Sequence, residues 1–304
     1  MIAPASSDSP LPVSISTARG LVEYASAGQG PTVLALHGAM GGWDQSMILA
    51  RTLDLTRFRA VALSRPGYLG TALAAGRSAD QQADLYAATL DALGLERVAV
   101  LAVSGGGPSA LRFALRHPAR CWALVLVSSI GEPMRGRLPL SARLAMWLGR
   151  QAWFAERLRR RLARDPEAPA RRAILDPALR ARTLDDPEAG PLFRALLAST
   201  TERLPLRIEG TRQDVRAGRA PAPPLEDVRV PTLVVHGTAD RTVPFARHGA
   251  ALARRIPGAE LLALEGGEHV ALFTHRALIK PRMDAFLRAH APAPVESEVT
   301  APLR

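Results

Sequence analysis

Short apolar runs alternating with helix-patterned stretches constrain this chain more than any other feature of it. Residues 32–36, 58–63, 98–103, 121–127, 232–235 and 261–264 are rich in Val, Leu and Ala and lack strict polar alternation. Runs of that kind suit strands buried on both faces, the habit of a parallel sheet covered by helices. Between them the period becomes helical. Over 78–93, Leu85, Leu90 and Leu93 recur at helical spacing, Ser78 can cap the start and Gly94 can end the helix. Residues 108–116, 246–255 and 278–289 read the same way, and 13–27, alternating weakly around Gly20, reads as an opening hairpin. The expectation is an α/β fold: a mostly parallel, twisted sheet with helices on both faces and reactive groups at the carboxyl ends of its strands.

One stretch breaks this rhythm. Residues 131–230 contain no strand run, only helical periodicity interrupted by prolines. A structureless loop of that length is implausible inside a compact domain, so an inserted helical lid is expected there, with the core formed by 13–130 and 231–290. Its first helix, over 138–162, carries Met146, Trp147, Trp153 and Phe154 and ends in Arg157, Arg159, Arg160 and Arg161. Such a helix either packs its apolar face on the core or offers a basic amphipathic surface to lipid or an anionic substrate, and the first use is the commoner. The ends, 1–12 and 291–304, are expected to be disordered tails.

Composition removes several function classes. The formal charge is +11, yet Lys280 is the only lysine, and no basic cluster is interleaved with aromatics as a nucleic-acid groove requires. The positive charge is therefore read as a surface property. Cys121 is the only cysteine and opens an apolar run, so it is expected to be a buried thiol with no disulfide. No apolar stretch approaches a membrane span and no leader pattern opens the chain, which leaves a cytoplasmic protein as the expectation. No cofactor or metal is expected. The dinucleotide spacing G-x-G-x-x-G fails because its first glycine falls on Ala102 or Ser104, and the phosphate-loop lysine is missing. The expected partner is a small-molecule substrate, with the oligomeric state open.

The turns after three strand runs carry the groups that serine catalysis needs. Ser104 lies in Ala102-Val103-Ser104-Gly105-Gly106-Gly107, where a strand run becomes a helix. Asp240 lies in Gly237-Thr238-Ala239-Asp240-Arg241-Thr242-Val243-Pro244, and His269 closes Gly266-Gly267-Glu268-His269. Each has a bland alternative: a helix-capping turn for the serine, an Asx turn for Asp240, a surface loop for His269. Three loops in the order serine, acid, histidine make coincidence the poorer explanation. A serine hydroxyl needs an adjacent base, histidine can take and return a proton near neutrality, and a carboxylate fixes the tautomer of that histidine.

These motifs resemble those of the α/β-hydrolases. The elbow is similar to G-x-S-x-G with Ala102 in place of the first glycine, and the other two loops are similar to the family's acid and histidine loops. His37-Gly38-Ala39-Met40-Gly41-Gly42-Trp43 resembles its oxyanion loop, and the resemblance runs over 13–289. It implies Ser104 as nucleophile, His269 as base and Asp240 as its orienting acid, ahead of Glu265 and Glu268. It also implies an oxyanion hole from the N–H groups of Gly105 and Ala39, with Met40 the lesser candidate and His37 structural. Met40, Trp43 and Tyr68 are expected at the pocket floor, with Trp147, Trp153, Phe154 or Phe193 closing it from the lid. The activity implied is cleavage of an ester, lactone or thioester of a small, largely apolar substrate through an acyl-enzyme. The alternatives are a C–C bond hydrolase, a cofactor-free peroxidase, and a non-catalytic small-molecule receptor. Ser104 argues against relatives with an aspartate nucleophile, such as haloalkane dehalogenases and epoxide hydrolases. Ser64-Arg65-Pro66-Gly67 has serine where many relatives have aspartate, and the sequence alone gives that change no role.

Overall fold

The computed structural model describes residues 10–136 and 138–293. The tails expected at either end lie mostly outside the described residues. A hairpin of β1 (Val13–Thr17) and β2 (Gly20–Ala27) opens the fold, turning at Gly20 with φ 121°. There follow β3 (Thr32–Leu36), α1 (Trp43–Ala50), β4 (Arg59–Leu63), α2 (Ala79–Ala92), β5 (Val98–Val103), α3 (Gly107–Arg116) and β6 (Cys121–Val127). The chain then leaves the sheet for α4 (Leu140–Leu148), α5 (Ala152–Arg164), α6 (Ala168–Ala173), α7 (Pro177–Asp185), α8 (Ala189–Ser199) and α9 (Ile208–Ala217). It returns through β7 (Thr232–Gly237), α10 (Gly249–Arg255), β8 (Glu260–Leu264), α11 (Ala271–Thr274) and α12 (Arg276–His290).

The eight strands form one sheet in the order β1-β2-β4-β3-β5-β6-β7-β8. The β1–β2 and β2–β4 pairs are antiparallel and every later pair is parallel. Alternate side chains of the parallel strands feed two cores. Leu34, Val61, Val100, Leu124 and Val234 pack with Leu85, Phe113 and Leu252 on one face. Val33, Leu101, Val125 and Val235 pack with Ile48, Phe193, Phe273 and Phe286 on the other. Both faces are thus covered, which explains why these strands read as unbroken apolar runs.

The chain passes from β3 out to β4 and then back across to β5, so β3 and β5 flank the point where strand order reverses. In an open α/β sheet that is where ligands bind, beyond the carboxyl ends of the strands. Leu36 pairs with Ala102, Val103 with Val127 and Val127 with Val235, so the loops after β3, β5 and β7 emerge at one edge.

The helix read over 138–162 is in fact two, broken at Gly149 to Gln151. Gly149 ends α4 where a Cβ would lie 2.8 Å from Ile208 Cδ1, so close packing against the start of α9 sets the break. Helix α1 lies in a stretch that showed no helical period, its buried face including Gln45 and Ser46 as well as Met47, Ile48 and Leu49. Among the described residues no helix is long and apolar enough to cross a membrane.

Candidate active site

Strand β5 ends at Val103, and Ser104 follows with φ 53° before the chain turns into α3. A non-glycine residue in that left-handed region is strained and persists only where its surroundings impose it. Here the imposing contact is the end of β3. A Cβ on Gly106 would sit 2.8 Å from the His37 carbonyl oxygen and 2.9 Å from that of Leu36, so only glycine fits. Two residues before the serine, the Ala102 side chain is fully buried in the sheet core. A methyl is accommodated there, and the departure from glycine leaves the turn intact.

His269 Nε2 lies 3.2 Å from Ser104 Oγ, and its Nδ1 lies 2.8 Å from Asp240 Oδ2. The other oxygen of Asp240 accepts the backbone N–H groups of Thr242 at 2.9 Å and Val243 at 2.8 Å. Burial alone would raise the Asp240 pKa, but hydrogen bonds with His236 and His269 outweigh it and hold the carboxyl well below its usual range. An ionised Asp240 is acceptor only, so His269 must present Nδ1–H to it, leaving Nε2 to accept the serine proton. The rival carboxylates are placed otherwise: Glu265 is exposed, and Glu268 accepts the Leu175 N–H at 3.3 Å. His236, which the sequence reading passed over, donates from Nε2 to the Val243 carbonyl at 2.8 Å and lies 3.4 Å from Asp240 Oδ2.

The loop after β3 faces this serine and is fixed from behind. The Arg65 backbone N–H donates to His37 Nε2 at 3.0 Å, which puts the His37 proton on Nδ1, 2.6 Å from the Gly38 carbonyl oxygen. Burial first, and then the charge of Arg65, lower the His37 pKa and keep it neutral. Arg65 Nη2 donates to the same Gly38 oxygen at 3.2 Å, and its Nε to the His37 oxygen at 2.8 Å. In a trans peptide N–H points opposite to C=O, so pinning the Gly38 oxygen turns the Ala39 N–H the other way. Ala39 N lies 3.4 Å from where a Gly105 Cβ would be, and a Cβ on Gly38 would meet that of Ser104 at 3.1 Å. Met40, with φ 63°, donates its N–H to Thr211 Oγ1 at 3.1 Å and is already engaged. Two backbone donors, Ala39 and Gly105, therefore flank Ser104, an arrangement able to bind a developing oxyanion.

Arg65 is itself held by α9. Asp214 receives Arg65 Nη1 at 2.9 Å and Nη2 on its second oxygen, and the Tyr68 hydroxyl donates to that oxygen at 2.5 Å. Tyr68, expected at the pocket floor, is buried edge-on against His37 at 4.5 Å between ring centres and belongs to this network. Burial, followed by the charge of Asp214, raises its pKa well above the usual phenol value, so it stays a donor. Ser64 now has a role: it accepts the Trp43 N–H at 2.9 Å and donates to Glu23 at 2.6 Å, tying β4 to α1 and β2.

The other aromatics expected around the pocket have the following surroundings. Trp43 begins α1 and packs on the small-residue cluster of Ala25, Ala35 and Ala60. Phe193 is fully buried in the sheet core, 5.5 Å from Phe273. Trp147 and Trp153 point to solvent, with half-buried Phe154 edge-on to Trp153, because the break at Gly149 divides the single amphipathic face that the sequence implied. Among the described residues no cluster of three or more potential metal ligands occurs.

The comparisons agree with this architecture. The α/β hydrolase fold family matches residues 31–276. A solved α/β hydrolase fold protein from Nakamurella multipartita is 33% identical with a TM-score of 0.81, covering 92% of this chain and 99% of that one. A 2-hydroxy-6-oxo-6-phenylhexa-2,4-dienoate hydrolase of Burkholderia cepacia is 25% identical over 259 residues, which is 82% of this chain and 85% of that enzyme. An uncharacterised hydrolase of Bacillus subtilis is 32% identical over 111 residues, and that stretch spans 36% of this chain and 39% of the relative. Matched over most of its length, from before β3 to the start of α12, the chain belongs to the α/β hydrolase fold family.

Proposed function

We propose that this hydrolase cleaves a carboxylic ester, lactone or thioester of a small, largely apolar substrate through an acyl-enzyme on Ser104. The observation that carries the reading is the Ser104–His269–Asp240 relay, set opposite the Ala39 and Gly105 N–H groups. Ser104 Oγ attacks the acyl carbon while its proton passes to His269 Nε2. The carbonyl oxygen becomes an oxyanion bound by the two N–H groups, and Asp240 stabilises the imidazolium. Collapse breaks the acyl bond, and the leaving group takes the proton from His269. Water, deprotonated by the same imidazole, then releases the acid and restores Ser104. An apolar substrate is supported by half-buried Met40, Val103 and Val270, the chain neighbours of the reacting groups. Thr211 and Asp214 of α9 touch the oxyanion loop and its anchor, which supports residues 131–230 acting as a lid.

The test is turnover of p-nitrophenyl esters of increasing chain length, lactones and thioesters by the wild type and Ser104→Ala. The variant should lose about three orders of magnitude or more and escape fluorophosphonate labelling. Wild-type labelling of Ser104→Ala would remove the nucleophile assignment. A second reading, hydrolysis of a C–C bond, is favoured by the Burkholderia cepacia relative. A 2-hydroxy-6-oxo-dienoate in the same panel decides it: turnover of that compound with none of the esters would replace the ester reading.

A further inference from the structure

Helices α4 and α5 leave bare a surface that the catalytic reading does not use. On α4, Leu140, Leu144 and Trp147 stand at i, i+4 and i+7 and are 76%, 53% and 60% exposed, one apolar stripe with nothing packed over it. On α5 the same spacing carries Trp153, Arg157, Arg160 and Arg164, with Trp153 60% exposed. The only acid between 140 and 164 is Glu156, and it pairs with Arg159 and Arg160. Arg143, Arg150, Arg157, Arg161 and Arg164 have no carboxylate partner among the described residues. Matched arginines occur elsewhere on the surface, as Arg116 with Asp84 and Arg282 with Glu260, whereas within 140–164 only Arg159 and Arg160 have such a partner among the described residues. The arm therefore concentrates unneutralised positive charge beside exposed indole and leucine.

We propose that this arm, α4 with α5, docks the enzyme on an anionic lipid bilayer. Charge alone would suit any polyanion; the apolar stripe selects among them. A nucleic acid gives Leu140 and Leu144 nothing to enter and an acidic protein would need an apolar groove cut to fit them, whereas the headgroup region of any bilayer accepts Leu and Trp on one side and arginine on the other. Arginine stems lie along apolar surface while their guanidinium groups reach lipid phosphates. The helices meet the bilayer in its plane and do not cross it, in keeping with their length and charge. This inference goes beyond the acyl-transfer reading and does not need it, since the stripe includes none of the reacting groups.

Co-sedimentation of the full chain with vesicles tests it, comparing mixed phosphatidylcholine/phosphatidylglycerol with phosphatidylcholine alone. Binding should be about tenfold or more tighter to the anionic vesicles and weaken at high salt. Trp147→Ala/Trp153→Ala, and separately Arg157→Gln/Arg161→Gln/Arg164→Gln, should each lower binding by about tenfold. Far-UV circular dichroism of both variants reports that they remain folded, fluorophosphonate labelling follows Ser104 separately, and Ser104→Ala should bind vesicles like the wild type. Equal binding to the two vesicle types, or full binding by either variant, would overturn the proposal. So would light scattering that finds a dimer lost in the tryptophan variant, which would assign the stripe to a second copy of the chain. Vesicle binding and Ser104 labelling are separate readouts, so failure of one leaves the other interpretable.

Discussion

Single side chains in this site are fixed by few, unambiguous partners, and each partner makes a residue-scale expectation. Asp240 accepts from His269 and from two backbone N–H groups, so an isosteric amide keeps the shape while offering His269 a donor. Asp240→Asn should therefore fold normally and lose about three to four orders of magnitude in kcat through the wrong tautomer. A variant keeping more than about a tenth of the turnover would move the acid role to another group. Buried His248 and His37 should shape the acid side of the stability curve. His248 is pushed down to about 4 by burial and then by Arg247, and burial likewise lowers His37. The unfolded chain, with histidines near the ordinary value of about 6.5, binds protons first as pH falls, so stability is lost from about 6.5 down to about 4. Asp240, whose folded pKa is depressed, contributes stability above the ordinary carboxyl value of about 4 and loses it only below that. Tm should thus decline on acidification before the Asp240 contribution is lost. His248→Gln, which keeps an acceptor for the Gly131 and Glu132 N–H groups, should flatten that decline. An unchanged slope would assign the loss to other groups.

Elements explain what could be read ahead and what could not. The Ser104–Asp240–His269 arrangement was legible because serine catalysis restricts residue type, loop position and chain order together, and each loop follows a strand run. The opening of α2 was legible for local reasons: Ser78 accepts from the Gln81 N–H, and Gln81 reaches back to cap it. The helix break at Gly149 was not, because its cause is Ile208, far along the chain, and with it went the orientation of Trp147 and Trp153. Arg65 gave only a weak local sign, a cation just past an apolar run, whereas its partner Asp214 lies 149 residues away. At the elbow the element itself can be tested. A methyl on Gly106 would press on two carbonyls of the β3 end, which cannot move without disturbing the Gly38–Ala39 peptide. Gly106→Ala should lower stability by about 1–3 kcal/mol in urea denaturation and reduce kcat by about tenfold or more. Wild-type values for both would mean that the β3 and β5 ends are looser than this packing implies.

At the scale of the molecule, the insertion is fastened to the sheet by two ion pairs of opposite polarity, one buried on both sides and one with a half-buried carboxylate. Arg65, just past β4, meets Asp214 of α9, while Arg207, at the start of α9, meets Asp44 of α1 through Nη1 to Oδ1 at 3.1 Å and Nη2 to Oδ2 at 2.5 Å. Desolvation nearly cancels the attraction within the buried Arg65–Asp214 pair, so it adds little net stability but is costly to break from one side. Asp214→Leu should leave Arg65 buried and unpaired and cost about 3–5 kcal/mol. Arg65→Met/Tyr68→Phe/Asp214→Leu removes the charges together and should recover about half of that loss or more, since apolar replacements of similar volume are tolerated. Turnover should not recover with it. Without the guanidinium, the Gly38 oxygen keeps only His37 as donor, and an Ala39 N–H free to rotate away weakens the oxyanion hole. Losing one such donor costs about a hundredfold or more in kcat, while KM, set by ground-state binding, should change little. Stability recovering in the triple variant while kcat stays low would separate the fastening of α9 from the setting of the oxyanion loop. If kcat returned along with stability, Arg65 would serve only to hold the insertion in place, and the Ala39 peptide would owe its orientation to His37 alone.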